Sequence, residues 1–278
     1  MVVRYAKEKD DVMRKTGERR AFFENDMFGP CIESPAEETM MAAWEAKTPA
    51  ARRKGARKAL SIDLDCLDAY NLLAIEAETH AESIALLREA VSIGDRLFAP
   101  ILDDEEVHWW GFIGTRPYMR AMHNLGLALM GAGDDAEAIF ARMLKLNPND
   151  NQGIRCILAD IYMESDRLDD LRGLLAGYPD DMMVETTMAS LFVAMREGKP
   201  ATVLKRMAPD IEKRNSFVLA HLAGKGKPEK MIEFSPYGVA IGSEAEAFDY
   251  AERSRPCWNK RKALMNAIRK HVESASGE

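Results

Sequence analysis

At 278 residues the chain is long enough to bury a sizeable core, as one large domain or two small ones. Hydrophobic residues make up 47% and charged residues 30%, the balance of a soluble globular protein, and a net charge of −7 argues against a general binder of nucleic acid or acidic membrane. No apolar run approaches the roughly 18 residues that span a bilayer, and the N-terminus is charged where a secretory signal would be apolar, so a cytoplasmic location is expected.

Residues Met1 to Pro30 mix charges of both signs with few apolar side chains, which suggests a loose segment over 1–33 that docks through Phe22, Phe23, Met27 and Phe28. Ser34-Pro35-Ala36-Glu37-Glu38 has the form of a helix start: a capping hydroxyl, proline in the first turn, and acids at the positive helix end. Thr48-Pro49 repeats the device. The basic cluster Arg52, Arg53, Lys54, Arg57 and Lys58 that follows reads as a solvated face.

From there the chain repeats itself. Return helices end alike at Leu60, Val91 and Leu144, with weaker copies near Leu174 and Met207, at intervals of about 31, 53, 30 and 33 residues; three of the four lie near the tetratricopeptide period of about 34. First helices are expected near Leu67 to Ala77, Pro117 to Met130, Asn151 to Met163 and Asp181 to Arg196, and second helices near Ala81 to Ile93, Asp135 to Leu146, Leu168 to Leu175 and Ala201 to Met207. Such pairs cannot bury their apolar faces alone and must stack. The reading is therefore all-α: a solenoid of divergent helix-turn-helix repeats over 34–213, with a Trp-rich insertion at 94–116 and a C-terminal helical cap over 214–278. Gly131-Ala132-Gly133 stops one helix and Asn147-Pro148 another, after which Asn149 with Gln152 has the form of a capping box. In the insertion, Trp109, Trp110 and Phe112 sit beside the acidic run Asp103-Asp104-Glu105-Glu106, and aromatics of this size are costly to leave in water. Ser243 with Glu246 opens another helix, and the last, near Trp258 to Val272, spaces Leu264, Ile268 and Val272 on one face as a cap requires.

The stretches Trp110-Gly111, Thr115-Arg116-Pro117-Tyr118-Met119-Arg120-Ala121 and Leu146-Asn147-Pro148-Asn149-Asp150-Asn151-Gln152-Gly153-Ile154-Arg155 resemble a bacterial and eukaryotic family of tetratricopeptide-like proteins related to the suppressor of tumorigenicity seven protein. The similarity is specific over about Trp110 to Tyr178, thinner from Ile62 to Leu87, and returns at Gly242, Glu246-Ala247, Tyr250 and Trp258. It implies a helical-repeat fold and a binding role, and carries no catalytic residues to transfer. The chain departs from the pattern at Gly114, where an acid usually stands, and at Asn215-Ser216-Phe217-Val218, where a proline-containing turn is usual.

Arg116, Tyr118 and Arg120 place planar donors and a phenol within one helical turn, next to His123 and Asn124, a set suited to clamping a carboxylate or phosphate. The structural alternative is that Arg116 ties the insertion down and Tyr118 packs. Arg155 is a further candidate, unless Asp180 or Asp181 engages it. The five histidines are scattered and the four cysteines, Cys31, Cys66, Cys156 and Cys257, lack ligand spacing, so neither metal nor cofactor is expected. No Gly-x-Ser-x-Gly elbow, phosphate-binding loop or dinucleotide fingerprint occurs. The 17 methionines read as gap-filling core.

Two functions fit. One is a non-enzymatic scaffold holding a protein or peptide partner in a concave groove; the other is a small-molecule binder or enzyme with its site between the 94–116 insertion and the central repeat. A nucleic-acid contact would have to use the basic C-terminal set Arg253, Arg255, Lys260, Arg261, Lys262, Arg269 and Lys270. Binding residues are expected among Trp109, Trp110, Arg116, Tyr118, Arg120, His123, Asn124 and Arg155.

Overall fold

The structure, a computed structural model, describes residues 36–104, 107–234 and 238–275. The expected N-terminal segment over 1–33, its Phe22, Phe23, Met27 and Phe28 cluster, Cys31, the Ser34-Pro35 helix start, and Glu105 and Glu106 lie outside the described residues. Those described are all-α, with short 3-10 turns and no strand. Their contacts divide into two units, Met1–Gln152 and Gly153–Glu278.

The first unit contains α1 (Glu37–Glu45), α2 (Pro49–Ile62), α3 (Leu67–Ile75), α4 (His80–Leu97), α5 (Arg116–Ala132) and α6 (Glu137–Leu146). Each packs on its sequence neighbours, and α3 also packs on α1 and α5. Local chemistry sets the ends. Thr48 accepts the Ala51 N–H at 3.2 Å with Pro49 in the first turn of α2, and Gly133, at φ 79°, takes the left-handed conformation that closes α5. One small core forms where Met40 and Ala43 of α1, Ala56 and Ala59 of α2, and Ala69, Leu72 and Leu73 of α3 meet. The return helix expected to end near Ile93 continues to Leu97, because Ile93, Gly94 and Leu97 are buried and extend the apolar stripe another turn. The connection from α4 to α5 then runs through two single 3-10 turns, Ala99–Ile101 and Ile113–Thr115.

The second unit contains α7 (Ile154–Glu164), α8 (Leu168–Ala176), α9 (Val184–Glu197), α10 (Pro200–Arg214), the short α11 (Val218–Leu222), α12 (Glu244–Lys260) and α13 (Lys262–Ala275). Its centre is α9, in contact with α7, α8, α10, α12 and α13. Phe192 of α9 meets Trp258 of α12 edge-to-face at 5.4 Å, and the Trp258 indole N–H donates to the Tyr250 hydroxyl at 2.9 Å. Three boundaries differ from the sequence reading. The helix expected from Asn149 or Asn151 begins only at Ile154, because Asp150 (φ 47°) and Gly153 (φ 74°) both take left-handed backbone, and no side chain caps it. The helix expected to stop near Met207 runs through Pro209 to Arg214, held by buried Ala208 and Ile211. Trp258 belongs to the end of α12; the final helix starts after Arg261 and buries Leu264, Met265, Ile268 and Val272 on one face. Ser243 caps α12 by accepting the Glu246 N–H at 3.1 Å, while the Glu246 carboxylate reaches back one residue further than a capping box does, to the Gly242 N–H at 2.7 Å.

Candidate binding cleft of the first unit

The first turns of α1, α3 and α5 open on one cleft of about 240 Å³. Met40, Leu67, Phe98, Ile113 and Pro117 make its apolar part, and Glu37, Asp68, Arg116 and Arg120 bring charge to it. Trp109 does not line it. That ring is 1% exposed and wedged between Phe98 at 5.5 Å and Tyr118 at 5.9 Å, and the Thr115 hydroxyl, itself buried, bonds to the Trp109 carbonyl. Tyr118 is likewise core. Its hydroxyl donates to Asp95 of α4, and burial, followed by that bond, pushes the phenol well above its ordinary range. Arg142 of α6 donates to the same carboxylate oxygen at 2.6 Å and lies over the Tyr118 ring at 5.6 Å, so one network ties α4, α5 and α6 together.

Trp110 is half-buried and carries Arg116 over its ring, with Cζ 5.2 Å from the centroid and Nε donating to the Trp110 carbonyl at 3.1 Å. Among the described residues Arg116 has no carboxylate partner, and its two terminal nitrogens make no hydrogen bond. Arg120, one turn on, places Nη2 2.8 and 2.7 Å from the two oxygens of Asp68, while its Nε is buried without a partner. Asn124 donates weakly to the side-chain oxygen of Asn71 at 3.5 Å, and Asn71 donates to the Pro117 carbonyl at 3.0 Å. Arg120 with Asp68 and Asn124 with Asn71 therefore form two polar rungs between α5 and α3. At the next rung stand Leu127 and Ile75, 46% and 59% exposed. His123 is half-buried on the same helix; burial lowers its pKa, against the opposing charge of Asp150.

Arg155 lies in the second unit. It is bound to Asp181 by Nε at 2.5 Å and a terminal nitrogen at 3.1 Å, and its guanidinium covers the Tyr178 ring at 5.3 Å. Burial alone would raise the Asp181 pKa, but the bonds from Arg155 and the Met183 N–H outweigh it and the carboxyl is held low. The basic C-terminal set is largely engaged as well. Arg253 meets Asp160, Glu185 and Asp249, Lys260 meets Glu164, and Arg261 donates to the Met163 carbonyl at 2.7 Å.

Of the candidates, Arg116 and Arg120 line the cleft, Trp110 supports Arg116, Trp109 and Tyr118 form the wall behind, and His123 and Asn124 lie further along α5. Sequence reasoning missed Asp68, Asn71, Ile75 and Leu127. Asp68 and Asn71 had a readable signal: two polar residues three apart in the otherwise apolar Leu67–Ile75, where a buried Asn needs a partner.

A family model described as ST7 protein matches residues 11–106. The chain is 24% identical over 211 residues to the human suppressor of tumorigenicity 7 protein-like, covering 73% of this chain and 36% of that protein, and the bovine counterpart matches likewise with 38% of its length covered. The Drosophila melanogaster protein ST7 homolog is 24% identical over 215 residues, covering 72% of this chain and 38% of the fly protein. The chain thus spans little more than a third of these relatives' length. No solved structure matches it. Family model and curated relatives agree: the chain is related to the suppressor of tumorigenicity 7 family.

Proposed function

We propose that the first unit is a stack of tetratricopeptide-like helix pairs, and that the face made by α1, α3 and α5 holds a peptide segment of a protein partner without catalysing a reaction. Side-by-side packing of first helices, α1 on α3 and α3 on α5, supports the repeat reading. The observation that carries the binding reading is the cleft: an apolar pocket with an arginine that has no carboxylate partner among the described residues. From Arg116 to Leu127 the face runs about 16 Å at about 1.5 Å per helical residue. That accommodates about five residues of extended chain. Hydrogen-bonding groups lie along the first part and apolar side chains at the end, the mixture that extended peptides use. Cys257, a buried free thiol, suits a reducing, cytoplasmic setting.

The test is selection of seven-residue random peptides on the folded protein. The expected result is a consensus that binds at micromolar strength, weakened about tenfold in the double variant Ile75→Asp, Leu127→Asp, which should melt as the parent does because both side chains are exposed. Selection that enriches nothing overturns the reading. A small-molecule or enzymatic site in the same cleft is the second reading, supported by the part that Phe98 and Ile113 of the α4–α5 connection take in lining it. Its volume falls below the about 300 Å³ at which ligand pockets usually begin, which favours the peptide.

A further inference from the structure

We infer that the cleft receives the C-terminal residue of its partner, with an apolar side chain in the pocket and the main-chain carboxylate on Arg116. This deepens the peptide-binding reading and rests on it. At about 30 Å³ per water molecule, a cleft of about 240 Å³ holds the volume of about eight waters. That admits one large side chain with its carboxylate.

The charges point to the same end. Arg120 is matched by Asp68, and Asp65, also at the cleft, receives Arg96 at 2.5 Å; the cation of Arg116 is left without an acid among the described residues. Arg116 is also held in place, with its stem fixed by the Trp110 carbonyl and its plane over the Trp110 ring, so little side-chain freedom is lost when a carboxylate docks on the terminal nitrogens. Cationic donors bind carboxylates more strongly than neutral carbonyls.

An internal acidic residue is the competing occupant, and one feature weighs against it. Its carboxylate sits at the tip of its own side chain, so the apolar group would have to come from a neighbour, whereas a C-terminal residue carries both on one Cα.

Two display formats of the same seven-residue library separate the possibilities. One leaves the peptide C-terminus free; the other anchors it. Enrichment only with the free C-terminus, converging on an apolar last residue, is the expected result. The best sequence is then made as acid and as amide. Amidation should weaken binding to the parent protein about tenfold or more, the usual worth of a charge-assisted hydrogen bond, and should matter less than about threefold to Arg116→Gln. Arg116→Lys, which retains the charge, should recover part of the preference for the acid and guards against a Gln variant that is merely misfolded. Equal enrichment in both formats, or equal affinity for acid and amide, overturns this inference and leaves peptide binding standing. Enrichment in neither overturns both.

Discussion

Arg116 in the first unit and Arg253 in the second are both partly exposed helix arginines, used in opposite ways. Arg253 is surrounded by acids of its own chain: Asp160 at 2.9 Å, Glu185 at 2.7 Å and Asp249 at 3.1 Å, which bind α12 to α7 and α9. Arg116 stacks on Trp110 and has no carboxylate at all among the described residues. Arg253 ties helices of the second unit to one another, whereas Arg116 is held at a cleft without an acid among the described residues. A positively charged group held in place has already met much of the ordering cost of binding, and that is why the proposed site is put in the first unit.

The largest effects should show whether that contrast extends to the aromatics. Trp109→Ala removes a ring that is 1% exposed and wedged between Phe98 and Tyr118, and should cost about 4 kcal/mol of stability from lost transfer energy plus a cavity. Trp110→Ala, one residue away, removes a half-exposed ring and should cost about 1 kcal/mol. Denaturant midpoints of the two variants measure the difference. Equal losses would mean that Trp110 also belongs to the core and that Arg116 is tied down by packing, which would undo its description as an available cation.

Next in size is Arg253→Ala, which strips the common partner from Asp160 and Glu185. Glu185 is 8% exposed, and one of its carboxylate oxygens already lacks a hydrogen-bond partner. Leaving buried carboxylates unpaired costs about 3 kcal/mol or more, reduced here to about 2 to 3 by the partial exposure of Arg253 itself. Urea unfolding of Arg253→Ala reads the effect; a change under about 0.5 kcal/mol would show an ordinary surface arginine.

Arg253 also shows where sequence reading stops. Its partners Asp160 and Glu185 are 93 and 68 residues away, and without them it reads as part of a basic patch. Short-range signals fared better. Thr48-Pro49, the Gly133 stop and the 3.6-residue apolar period each act within a turn or two and marked the corresponding helices. Where local signals misled, tertiary packing decided: α10 passes through Pro209 because Ala208 and Ile211 are buried on its inner face. The same divide runs through the cleft. Arg116 and Arg120 stood out by type and spacing, but that one pairs with Asp68 and the other with no acid depends on helices that meet only in the fold.

The remaining effect concerns pH and comes from Asp160. Burial is the main influence on its carboxyl; with Glu185 adding to it, it prevails over the attraction of Arg253 and raises the pKa from an ordinary 3.8 to about 6. Between those values the folded protein retains a proton that the unfolded chain has released, so this group favours folding at low pH. Its contribution falls as pH rises through the window and levels off above about pH 6. At about 1.4 kcal/mol per tenfold change in acidity the ceiling is about 3 kcal/mol, and because 27% of the Asp160 side chain is exposed, screening should leave about 1 to 2. Asp160→Asn keeps the shape and the acceptor toward Arg253 but cannot titrate. Carboxylates common to both proteins cancel when the two are compared. The stability of the parent minus that of the variant should therefore fall by about 1 to 2 kcal/mol from about pH 4 to about pH 7, as read by urea unfolding at each pH. A difference that is flat across this range would mean that Asp160 is hydrated, and that the arginine–carboxylate knot of the second unit is as open to water as the cleft of the first.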